Sequence, residues 1–183
     1  MVKEPRPGRV KTRLGRDIGM VGAAWWFRWQ VAAVLRRLRD PRWDLVLAVS
    51  PDREGVMSRV WPADVARVAQ GSGDLGDRMG RVIDAMPPGP VCVIGADIPG
   101  VSRAAVAEAF AALGTSDAVF GPAPDGGYWL VGLKRMRGHA GLFEGVRWSS
   151  EFALADTVAS LRGARVAFVR ELRDVDTVAD LGI

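Results

Sequence analysis

The chain has 183 residues, 49% hydrophobic and 25% charged, with 25 Lys and Arg against 21 Asp and Glu for a net charge of +4; this suits one soluble domain spanning 1–183. One His and one Cys exclude an internal disulfide and argue against a zinc site or a Cys/His dyad, so any metal should be a hard cation on carboxylates. No apolar run nears the ~20 residues of a membrane span, and no apolar signal core opens the chain, which predicts a cytoplasmic protein without membrane partners.

The first fourteen residues carry Arg6, Arg9, Lys11 and Arg13 among two prolines and Gly8. That composition excludes a helix and suits either a phosphate-binding loop or a solvated basic arm. It is not a P-loop, whose glycine and lysine spacing is absent. No Lys/Arg run is interleaved with aromatics, so an anionic small molecule such as a nucleotide is a better partner than nucleic acid. From Asp17 to Arg39, Phe27, Val31, Val34, Leu35 and Leu38 recur at helical spacing. Trp25, Trp26 and Trp29 suit a core or an interface, which leaves a homodimer open.

Trp43 to Ser50 reads as a buried strand, and Arg53 to Ala69 as short elements at the edge of a sheet. Gln70 to Met79 holds three glycines before a helix expected over 77–85. Gln70 carries a donor and an acceptor suited to a base edge; a flexible connection is the plainer reading. Val91 to Ile94 reads as a strand buried on both faces. It runs into Gly95, Asp97 and Pro99, so Asp97 stands where ligands bind in open α/β sheets, or else serves as a turn residue.

Ser102 to Leu113 reads as a helix, Asp117 to Gly121 as a strand, and Tyr128 to Leu133 as another strand leaving the tight turn Asp125-Gly126-Gly127. An Asp-Gly pair is also the commonest hairpin signal. Ser149 or Ser150 is expected to cap a helix running toward Leu161, and Arg165 to Val169 to form a late strand. Asp174 and Asp176, two apart, share one side if the segment is extended; a solvated acidic tail with an Asp helix cap is the other reading. Alternating strands and helices imply a three-layer α/β/α domain with a mostly parallel central sheet.

Six segments occur in an order that resembles a known group: Pro7–Leu14, Gly73–Met79, Gly95–Pro99, Gly121–Tyr128, Trp148-Ser149 and Asp174–Thr177. The chain resembles bacterial glycosyltransferase-like proteins of the arsenosugar-biosynthesis type, within the nucleotide-diphospho-sugar transferase superfamily of GT-A fold. That group begins with a full apolar strand; here only Met1-Val2 precede Lys3, so the first strand is expected to be truncated. The resemblance implies a phosphate loop of Arg9, Lys11 and Arg13. It places Gln70 and the loop Gly73, Asp74, Leu75 and Gly76 near the nucleotide. A Mg or Mn ion would sit on Asp97 and Asp176, and the sugar or acceptor would face Asp125, Gly126, Gly127 and Trp148.

The activity so implied is transfer of a sugar from a nucleotide-diphospho-sugar to a small-molecule acceptor, with Asp125 as the catalytic carboxylate. The same residues would serve a nucleotidyltransferase that takes a nucleoside triphosphate and a phosphorylated acceptor and releases pyrophosphate. A non-catalytic nucleotide-binding protein is a third reading.

Overall fold

The structure, a computed structural model, describes residues 1–135 and 141–181. The chain forms two compact units, each assembled from separate segments. The first comprises Met1–Gly71, Gly95–Arg103 and Asp174–Ile183; the second comprises Ser72–Ile94 and Ala104–Arg173.

In the first unit, β1 (Val2–Lys3) leads through α1 (Leu14–Ile18) and α2 (Met20–Leu38) to β2 (Val46–Ser50). The chain then continues through α3 (Asp52–Met57) to β3 (Ala66–Ala69). The sheet runs β1-β2-β3 and is parallel throughout, with Val2 opposite Val49 and Ala48 opposite Val68. Parallel neighbours need a crossover, and the helices between these strands supply it. The expected first strand is indeed short, at two residues. The single helix expected over 17–39 is two, because Gly19 at φ +81° breaks it.

One face of α2 is buried at Ala23, Ala24, Phe27, Val31, Val34, Leu35 and Leu38, the recurrence visible in sequence. Phe27, Val31 and Leu35 meet Val2, Leu47 and Val49 of the sheet, together with Trp61, Val65 and Ala96. A second cluster joins Leu14 and Ala23 to Val175 of the C-terminal segment.

The second unit contains α4 (Leu75–Asp84), β4 (Val91–Ile94), α5 (Arg103–Ala112, from its second residue), β5 (Ala118–Pro122), β6 (Tyr128–Leu133), α6 (Ala153–Ser160) and β7 (Val166–Phe168). Its sheet runs β4-β6-β5-β7 and is mixed: β6 is antiparallel to β4 and β5, while β7 is parallel to β5. The hairpin turn at 125–127 dictates this, since so short a connection can only reverse the chain. Ser149 and Ser150 do not cap α6. Its N-cap is Phe152, with no side-chain bond, and Ser150 Oγ instead accepts the Phe152 N–H at 3.2 Å. No helix among the described residues is long and apolar enough to cross a membrane.

Candidate functional site

The site in the first unit is built around Lys11. Its backbone sits at φ +45°, a left-handed conformation that costs a residue with a Cβ about 1–2 kcal/mol. Lys11 O accepts the Gly15 N–H at 2.9 Å as the chain turns into α1. The side chain is 8% exposed and its ammonium meets three carboxylates: Asp97 at 2.5 Å, Asp176 at 2.9 Å and Asp174 at 3.6 Å. Arg13 binds the second oxygen of Asp176 at 2.9 Å.

Backbone geometry explains why these residues converge. Val175 N–H donates to Asp97 O at 3.3 Å, tying the C-terminal segment to the 95–103 segment. Val175 is buried, so its neighbours Asp174 and Asp176, two apart in an extended stretch, both turn toward Lys11. Asp180 then fixes the following turn by accepting from Asp176 N, Thr177 N and Thr177 Oγ1. Burial works against the charged form of Lys11, but Asp97 and then Asp176 outweigh it and hold the pKa above the ordinary lysine value. Burial likewise opposes the Asp176 carboxylate, yet Lys11 and Arg13 hold its pKa below the ordinary range.

Arg9, expected on the same loop, is exposed on the solvent side. Gln70 turns its amide to the backbone of the sheet. It is 4% exposed, and its Nε2 donates to Val2 O at 3.0 Å and Ala48 O at 2.8 Å, pinning the short β1 beside β2. Asp174 was legible only as one of a pair; its approach to Lys11 is tertiary.

In the second unit, Asp74 is the N-cap of α4. Its side chain accepts the Asp77 N–H at 2.9 Å while Asp77 accepts the Asp74 N–H at 3.1 Å, a capping box that starts the helix two residues before the sequence expectation. Gly73 has φ +100°, and a Cβ there would lie 2.3 Å from Asp77 Oδ2. Gly76 packs on Phe143 and Trp148, where a Cβ would come within 2.7 and 2.9 Å. Trp148 stands 5.9 Å from the Phe143 ring. Leu75 is exposed, and Asp74 and Gly76 line a cleft of about 820 Å³ in this unit.

Asp125 heads the β5–β6 hairpin and its Oδ1 accepts the Gly127 N–H at 2.9 Å. Gly126, at φ +82°, is required by the protein itself: a Cβ would lie 2.1 Å from Glu151 O. Leu154 N–H also donates to Gly126 O at 3.0 Å. At Gly127 the constraint is milder: an added Cβ would meet the Asp125 side chain, at 3.1 Å from Oδ1, rather than backbone.

The donor set of the first unit suits a hard cation. Asp97, Asp176 and Asp174 each present a carboxylate oxygen to the Lys11 ammonium, and oxygen donors of this kind are what hard cations take. Among the described residues no three His, Cys, Asp or Glu side chains close on a metal by themselves. Mg²⁺ is commonly held by one or two carboxylates plus substrate phosphates, a shell these residues can supply.

A parallel βαβ half joined in sequence to a mixed half, with a basic loop facing carboxylates, defines an α/β protein of GT-A-like fold. The crystal structure of a "putative nucleotide-diphospho-sugar transferase" from Desulfovibrio desulfuricans G20 is similar to it, with a TM-score of 0.84 and 33% identity over 98% of this chain and 81% of that one. The model of the family described as "uncharacterized protein conserved in bacteria" (DUF2064) matches residues 33–150, and the chain belongs to that family. No curated protein matches the sequence.

Proposed function

We propose that this protein is a transferase that takes a nucleotide-diphospho-sugar and moves the sugar to a small-molecule acceptor. The observation that carries the reading is the convergence of Lys11 and Arg13 with Asp97 and Asp176, drawn from three distant segments of one unit. The likeness to the Desulfovibrio protein supports it. Lys11 and Arg13 bind the diphosphate, and the carboxylates hold the Lys11 ammonium in place until phosphate oxygens compete for it. Asp97 and Asp176 would hold a Mg²⁺ or Mn²⁺ ion, whose charge would offset that of a nucleoside diphosphate. The resemblance assigns the catalytic carboxylate to Asp125, which is exposed in the β5–β6 hairpin turn.

The test is a panel of nucleotide sugars and nucleoside triphosphates with and without Mn²⁺, assayed for both diphosphate and pyrophosphate. Diphosphate release from one nucleotide sugar, lost in Asp97→Asn while the fold is retained, is expected. Pyrophosphate from a triphosphate and a phosphorylated acceptor, with no diphosphate, would make the protein a nucleotidyltransferase instead. Ligand-dependent rise in Tm with no product would make it a nucleotide-binding protein.

A further inference from the structure

The outer face of α2 is apolar where a solvated helix would be polar. Trp25 and Trp29 are 64% and 63% exposed, Val21 is 59% exposed and Ile18 39%. Residues 22, 25 and 29 of α2 follow one another at spacings of three and four and share one side of the helix as a stripe, and Ile18, at the end of α1, lies beside Gly22. At Gly22 an added Cβ would touch nothing nearer than Ile18 at 3.6 Å. The stripe is therefore a notch flanked by bulky side chains. Between Met20 and Leu38 there is no acidic residue. Arg28 lies over the Trp25 ring, 5.5 Å from its centroid.

We propose that this face pairs with a second copy of the chain, as an antiparallel α2–α2 dimer. Gly22 and Trp29 are seven residues, or about 10 Å, apart along the helix. In an antiparallel pair with its two-fold axis beside Trp25, Trp29 of each copy drops into the Gly22 notch of the other. The contact is isologous: one knob and one hole per chain, satisfied twice by the same rotation. The two Trp25 rings meet near the axis. In that register each Arg28 faces position 23 of the other copy, so the two Arg28 side chains stay apart.

The exposed apolar area approaches the apolar share of a dimer interface. At about 250 Å² for a whole Trp, the two indoles expose roughly 160 Å² each. With Val21 and Ile18 the apolar stripe reaches roughly 450–500 Å² per copy, near the largest patch expected of a monomer. A stable dimer buries about 800 Å² per partner, of which the apolar core is the larger part. Trp and Arg are also the residues that dominate binding at such centres.

The test is the mass of the full chain in solution by sedimentation or light scattering across about 1 to 100 μM, a range that covers ordinary dimer affinities. A dimer is expected, weakened about tenfold or more by Trp29→Ser. Gly22→Leu is the sharper probe. Leucine is the better helix former and the position is open, so the monomer should melt at an equal or higher temperature while dimerisation is lost. A dimer unchanged by both variants would overturn the proposal, as would a monomer at every concentration. So would Trp-dependent binding to vesicles of anionic lipid by a chain that stays monomeric in solution, which would make the face a membrane surface instead.

Discussion

Lys11→Met deletes the ammonium shared by three carboxylates while keeping the length of the stem and the same backbone at φ +45°, so the comparison isolates charge. At 2.9 Å the Lys11–Asp176 attraction alone is about 6 kcal/mol at an effective dielectric near 20. Desolvation of the buried ammonium opposes this, and Asp176 at 39% exposure keeps access to water, so most of it is offset. A net loss of about 1–3 kcal/mol follows, because Asp97, Asp174 and Asp176 then lose the cation they share and only Arg13 remains, on Asp176. In a chain of this length that lowers Tm by roughly 3–10 °C. Thermal unfolding of Lys11→Met, Asp176→Asn and the double variant should give a coupling energy of about 1–2 kcal/mol.

The effect has a pH window. The Lys11 contribution is complete below the ordinary lysine value of 10.5 and fades as pH climbs past its raised folded value. The Asp176 contribution is complete above 3.8 and fades as pH falls through its lowered one. The gap between wild type and Lys11→Met should therefore be widest from about pH 4 to 10. Mn²⁺ should raise the Tm of Lys11→Met more than that of wild type, since the carboxylates are released to bind it. A variant that melts with wild type, in a cycle that closes to zero, would refute the reasoning.

Two further outcomes are expected. Gly126→Ala should destabilise by about 2–4 kcal/mol, from its positive φ and the collision with the Glu151 backbone, whereas Gly127→Ala should stay within about 1 kcal/mol; urea unfolding of both variants measures this. Asp156, paired through both oxygens with Arg147, is held down to about pKa 2, so its stabilisation is present above pH 3.8 and lost as pH falls toward 2. Asp156→Asn should differ from wild type in urea midpoint at pH 6 and match it near pH 2.

The sequence alone determined the elements whose pattern is local. The period of Phe27, Val31 and Leu35 announces α2, and the apolar run of 46–50 announces β2, because burying one helix face or one strand needs only its own residues. The alternation of Asp174 and Asp176 likewise announces two carboxylates on one side. The short β3 and α3 were not separable in a stretch without clear periodicity, and the β6 reversal follows from the five-residue connection 123–127, whose Asp-Gly pair the sequence left open between a hairpin and a ligand-facing turn. Only the tertiary structure decided what the polar residues do. Gln70 could offer its amide to a base or to carbonyls, and the two-residue β1 leaves Val2 O and Ala48 O within its reach. Gly126 could admit a ligand or a neighbour, and the Glu151 backbone fills the space. Lys11, Asp97 and Asp176 lie up to 165 residues apart, and no local propensity specifies which cation meets which carboxylate; burial of Val175 and its bond to Asp97 bring them together.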